Sequence, residues 1–181
     1  MNVNILTISQ VVISYMVKSL IIIRHALSLN EQPGMKDVER TLSVAGIQDA
    51  SKIGKYLKIK NIIPEQIHSS HALRAVGTAQ IIAEQIGIKN DRIIINEELY
   101  QASVRILLKI INQLDEKINN LILIGHNPSV SYLCEYLSGN DIRPITPAGI
   151  CILNFENTAW KGIDKGFGAL IEQKDPSEII F

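Results

Sequence analysis

Arg24 and His25 follow directly on the aliphatic run Ile21-Ile22-Ile23, and a second histidine, His126, stands in Gly125-His-Asn-Pro after the run Leu121–Ile124. A second arginine, Arg74, falls where a helical pattern begins. Two imidazoles and two guanidinium groups suit one kind of substrate, a phosphorylated one. Guanidinium forks match the negative charge that a phosphoryl group in transfer spreads over its oxygens. A neutral imidazole can attack phosphorus and form a covalent intermediate that water later resolves. Taken singly, each residue has a plainer explanation. His126 and Asn127 can cap a helix beginning near Pro128, and Arg74 can be a solvated side chain. A cation in a first helical turn is, however, mildly unfavourable against the dipole unless an anion offsets it. Arg24, His25 and His126 gain weight together, because they stand at the ends of two buried strands.

Other polar residues carry less. Glu98 reads equally as a solvated loop carboxylate or a proton donor. His68 and His71 read as partners of backbone or water, and Cys134 belongs to an apolar stripe. The sequence has no GxGxxG after its first strand and no GxxxxGK[ST], which excludes dinucleotide-binding and P-loop assignments. Without HExxH or a cysteine pair, no metal site is expected, and without GxSxG a serine hydrolase is not.

The elements that must position these residues show in a change of hydrophobic period. Leu20–Ile23, Gln66–Ser69, Ile93–Ile95 and Leu121–Ile124 are aliphatic runs too short for helices. Helical stripes lie between and after them: Ile47, Ala50, Ile53 and Leu57; a helix over Ala72–Ile86 ending near Gly87, where a left-handed cap is easy; Val104, Leu107, Leu108, Ile111 and Leu114; and Val130, Leu133, Cys134 and Leu137. Ile150–Phe155 and Phe167–Ile171 read as a late strand pair. Alternating strand and helix predicts an α/β sandwich of three layers, with a mostly parallel central sheet and helices on both faces. Sites in such sheets lie beyond the carboxyl ends of the strands, which is where Arg24-His25, Ser69-Ser70-His71, Asn96-Glu97-Glu98 and Gly125-His126-Asn127 fall.

The 181 residues favour a single domain of ordinary size. Apolar residues at 46% give enough material for a core, and 18 basic residues against 18 acidic ones disfavour nucleic acid or an anionic membrane as partner. Only Cys134 and Cys151 are present, too few for a disulfide scaffold. No stretch approaches the roughly 18 continuous apolar residues of a spanning helix, and no Lys or Arg precedes Lys18 to form the basic region of a signal peptide. The cytoplasm is the expected compartment. Met16 stands just before the first strong strand, so residues 1–15 are expected to be an appended segment or a misassigned start, with the domain over 16–181.

With these residues in hand, the sequence resembles the histidine phosphatase superfamily, in particular its short SixA-type phosphohistidine phosphatases. Beyond Arg24-His25-Ala26, the segment Asp37-Val-Glu-Arg-Thr-Leu-Ser-Val-Ala-Gly is similar to the family's D-x-E-R-P-L-x-x-x-G. Ser69-Ser-His-Ala-Leu-Arg-Ala-Val-Gly-Thr-Ala is similar to S-S-P-A-L-R-A-x-x-T-A. Glu98-Leu99-Tyr100 with Ala102-Ser103, Gly125-His126-Asn127-Pro128, and Ala148-Gly149 resemble further blocks, in family order over about 20–181. His71 and Thr41 stand where the family has prolines. Gly77 costs the second helix about 1 kcal/mol relative to Ala, which implies close packing there.

The resemblance implies a phosphoglycerate mutase-like fold and a reaction without metal or other cofactor. It makes His25 the phosphorylated nucleophile and Arg24, Arg74 and His126 the phosphate pocket. It also implies that Ser28 and Asn30 line the pocket, with Glu98 the nearest candidate for a proton donor. The expected partner is a phosphohistidine on a signalling or phosphocarrier protein. The alternatives are a phosphomonoesterase acting on a small metabolite and a catalytically silent phospho-binding module. The segment between Gly87 and the helix near Ala102 is too short to hold a large helical roof, which favours a protein side chain as substrate.

Overall fold

The computed structural model describes residues 17–181; the expectation about residues 1–15 lies outside them. Six strands form one sheet: β1 (Val17–Arg24), β2 (Gln66–Ser69), β3 (Ile93–Ile95), β4 (Asn120–Gly125), β5 (Ile150–Glu156) and β6 (Ala169–Lys174), in the order β3-β2-β4-β1-β5-β6. The first four in that order run parallel, β5 is antiparallel to β1, and β6 is antiparallel to β5. Four helices cover the sheet: α1 (Val44–Ile59), α2 (Leu73–Ile86), α3 (Val104–Asn112) and α4 (Ser129–Ser138). The expected α/β sandwich of three layers, phosphoglycerate mutase-like, is the fold observed.

The strands of the sheet's centre are aliphatic throughout because both of their faces are covered. Their side chains still alternate between two cores. Ile21, Ile23, Ile122 and Ile124 pack with α1 and α2 through Ile53, Leu57, Ala79 and Ile82. Leu20, Ile22, Leu121 and Leu123 pack on the other face with α3 and α4 through Leu107, Ile111, Leu133 and Cys134. Local signals end the helices where the sequence suggests. Gly87 closes α2 at φ +87°, and Ser43 and Ser103 cap α1 and α3 by accepting the Gly46 and Ile106 amides. Gly77 does allow close packing, since a Cβ there would meet Leu42 Cδ1 at 3.1 Å.

β1 is held at both ends. At its start Lys18 is fully buried, and its Nζ donates to the carbonyls of Glu116 and Ile118 and to Asn119 Oδ1. At its end Ala148, in the left-handed region at φ +59°, donates its amide to the Arg24 and His25 carbonyls. Among the described residues no helix is long and apolar enough to cross a membrane.

Candidate active site

Parallel register brings the reactive residues to one edge. Arg24 pairs with Gly125, and Ser69 with Ile124, so His25, His126 and Ser70 all emerge at the carboxyl ends of adjacent strands. The His25 amide donates to the Gly125 carbonyl, and the Ser70 amide to that of Ile124. Arg74 comes from the first turn of α2, and α4 starts just after His126. Two helix N-termini therefore border the same space, a favourable setting for an anion. Arg24, His25, Asp37, Arg74, Tyr100, His126 and Asn127 are among the residues lining a cleft of about 360 Å³. A larger groove, about 630 Å³, lies between α3 and α4 and is lined by Val104, Leu108, Tyr132 and Tyr136 with three charged neighbours. It contains no imidazole, and the chemistry belongs to the smaller cleft.

The His25 ring is held in a defined state. Its Nδ1 lies 2.8 Å from the Ala26 carbonyl, an acceptor only, so the proton resides on Nδ1. Nε2 is left with a lone pair, towards which Arg74 Nε–H points at 3.3 Å. Burial, and then the charges of Arg74, Arg24 and Arg40, push the His25 imidazole down to about 4, against the upward pull of the Ala26 bond. His126 stands beside it, ring centroids 4.9 Å apart. Burial and the neighbouring His25 and Arg74 push it to about 3. Both rings are neutral near pH 7. The Ala26 amide in turn donates to Thr78 Oγ1, which donates to the Arg74 carbonyl, tying α2 to the residue after His25.

Arg74 is buried and anchored by Asp37. Its Nη1 donates to the Asp37 carbonyl at 2.6 Å and its Nη2 to Asp37 Oδ2 at 2.7 Å. Tyr100 Oη donates to the same Oδ2 at 2.8 Å, and Arg40 Nη1 to Oδ1 at 3.0 Å. Burial works to raise the Asp37 pKa, but the bonds from Tyr100, Arg74 and Arg40 outweigh it and hold the carboxyl well below the usual range. Asp37 is thus an ionised anchor. Arg24 Nη1 donates to the Ile145 carbonyl, while its buried Nε–H has no partner among the described residues. With neutral imidazoles, Arg24 and Arg74 against the one carboxylate of Asp37 leave the cleft lining net positive.

The structure brings Arg24, His25, Arg74 and His126 together, as the sequence suggests. Three other candidates fall elsewhere. Glu98 is exposed in a 3-10 turn, 3.9 Å from Lys109, and does not line the cleft. Ser28 forms a bridge with Leu42 and its Oγ accepts from Arg40 Nη2, so it supports the arginine behind Asp37 without lining the cleft. Asn30 is exposed on the loop that leads away, also outside the lining. Asp37 and Tyr100 are cleft residues to which sequence reasoning gave no role. Both lie in or beside short 3-10 turns with no hydrophobic period to mark them. Among the described residues no three His, Cys, Asp or Glu side chains are grouped to hold a metal ion.

Comparison with known proteins agrees with this geometry. The model of the histidine phosphatase superfamily (branch 1) matches residues 20–103. In that stretch, a little under half of the chain, the sequence is similar to this superfamily. A protein proposed to be the phosphohistidine phosphatase SixA of Agrobacterium tumefaciens superposes with a TM-score of 0.75 at 26% identity, over 88% of this chain and 98% of that one. The protein histidine phosphatase SixA complexed with tungstate shares the fold, with a TM-score of 0.75 at 22% identity over 88% and 97% of the two chains. An uncharacterized protein of Mycobacterium tuberculosis (strain H37Rv) is 28% identical over 158 residues, 82% of this chain and 96% of its own length. The superfamily match and the SixA likeness support a hydrolase of the phosphatase kind.

Proposed function

We propose that this phosphatase works through a covalent phospho-His25 intermediate and that its substrate is a phosphohistidine side chain on another protein. The observation that carries the reading is the state of His25: a neutral ring, proton fixed on Nδ1, lone pair on Nε2, beside Arg74 in a net positive cleft. In the first step Nε2 attacks phosphorus and the bond from phosphorus to the leaving nitrogen breaks. Arg24, Arg74 and His126 hold the phosphoryl oxygens, which stabilises charge developing in the transition state. In the second step water attacks phospho-His25, the N–P bond breaks, phosphate leaves, and His25 returns to its neutral form.

Proton supply favours the phosphohistidine substrate. The only carboxylate lining the cleft among the described residues, Asp37, is ionised, and Glu98 is outside. An alkoxide leaving from a phosphate ester needs a positioned acid. A departing imidazole takes its proton from water on the far nitrogen and leaves as a neutral molecule. The segment between α2 and α3 holds only β3 and two 3-10 turns, so no helix from it roofs the cleft against a protein surface.

The test is phosphate release from a phosphohistidine-bearing protein in EDTA, with wild type and His25→Ala compared. Release by wild type that falls to background in the variant is expected. Turnover of small phosphate esters with phosphohistidine untouched would replace the substrate with a metabolite. Activity surviving in His25→Ala would remove the nucleophile assignment, and oxyanion binding without any turnover would leave a binding module.

A further inference from the structure

Ser70 is fully buried at the end of β2, and no step above uses it. Its Oγ lies 2.9 Å from His126 Nε2 and accepts the Ala72 amide proton at 3.3 Å. A hydroxyl has one proton to give. With the Ala72 amide on the acceptor side, that proton is free to point at His126. The other ring nitrogen, His126 Nδ1, has no partner among the described residues and is not one of their buried unpartnered atoms, so it is open in the cleft that His126 lines.

Burial and the neighbouring His25 keep the His126 ring neutral, so it carries a single proton. If that proton were on Nε2, pointing at Ser70, Nδ1 would turn a lone pair towards a phosphoryl oxygen and repel it. If Ser70 donates to Nε2, the proton is on Nδ1 and the same ring becomes a donor to the oxyanion. We propose that Ser70 is a positioning residue whose hydroxyl donates to His126 Nε2 and thereby fixes the Nδ1–H tautomer that His126 offers to the phosphoryl group. This rests on the phosphatase reading of the cleft. His25 is held in the same tautomer by the Ala26 carbonyl, but it faces the substrate with its other nitrogen. One tautomer thus gives a nucleophile at His25 and a hydrogen-bond donor at His126.

Nitrogen-15 NMR of the histidine rings in the wild-type protein near pH 7.5, with and without tungstate, tests the assignment without any variant. The expected result is His126 protonated at Nδ1 in both states. Ser70→Ala is expected to give a mixture of tautomers at His126, to leave His25 unchanged, and to lower kcat/KM and tungstate affinity by about 10- to 100-fold. Ser70→Thr, which keeps the hydroxyl, restores the Nδ1–H signature. Tungstate binding with His126 protonated at Nε2 in wild type overturns the role of Ser70 and leaves the phosphatase reading standing. Failure of tungstate to perturb either ring overturns both.

Discussion

Keeping His25 neutral in the folded protein has a thermodynamic consequence that can be read without any substrate. An unfolded histidine titrates near 6.5, while burial and then three nearby guanidinium groups bring folded His25 down to about 4. Above pH 6.5 neither state binds the proton and His25 adds no pH dependence. As the pH falls below 6.5 the unfolded chain takes up a proton that the folded chain refuses, and stability is lost until the folded ring titrates as well. Between pH 8 and pH 5 the linkage amounts to about 2 kcal/mol, or about 1–2 kcal/mol allowing for the ring's partial exposure. The perturbation is His25→Gln, which has no titrating group. The assay is urea unfolding of both proteins at pH 8 and pH 5 in buffers free of phosphate. Whatever packing the substitution changes is common to both pH values and drops out of the comparison. Wild type should lose about 1–2 kcal/mol more than the variant, equivalent to several degrees in Tm for a chain of this size. Asp37 does not interfere, because its depressed carboxyl loses its contribution only as the pH falls below the ordinary carboxylate range. Equal losses in the two proteins would mean that His25 titrates normally, and the argument for a neutral nucleophile would collapse.

Two further outcomes follow from the site. Asp37→Asn removes the carboxylate that anchors Arg74 and Arg40 and is expected to lower kcat/KM about 10- to 100-fold, since hydrogen bonds to charged groups are worth about 1.5–3 kcal/mol and the side chain is partly exposed; steady-state kinetics at full rate would contradict the anchoring role. Glu98→Gln is expected to leave kcat within about twofold, because the residue pairs with Lys109 away from the cleft. A loss of about 100-fold or more, the scale of a general acid, would make Glu98 the proton donor after all.

How much of this was legible beforehand depended on how far along the chain each signal extended. The parallel strands announced themselves as Leu20–Ile23 and Leu121–Ile124, since burial on both faces leaves no room for polar residues. Once those strands are neighbours, the residues just past their ends must meet, which is why Arg24, His25 and His126 could be placed together from sequence. Asp37, Tyr100 and Ser70 escaped for a different reason. Their importance is a matter of which atom faces which across chain separations of 37, 63 and 56 residues, and no local pattern encodes that. Glu98, the nearest candidate for a proton donor, falls outside the cleft on the same ground, because it lies in a 3-10 turn whose direction is set by tertiary contacts.

The alternation of β1 between the two cores extends to its last residues. Ile23 faces α1 and α2, Ile22 faces α3 and α4, and the next two residues continue the beat. Arg24 reaches the Ile145 carbonyl near α4, whereas His25 meets Arg74 of α2. The two side chains thus leave β1 on opposite sides of a single ribbon, and it is parity along the chain that assigns them. A shift of one residue would turn the strand inside out and exchange guanidinium and imidazole in the same stroke. The reading frame of the core and the sides to which Arg24 and His25 turn are one constraint, so the order arginine-then-histidine is a property of the fold.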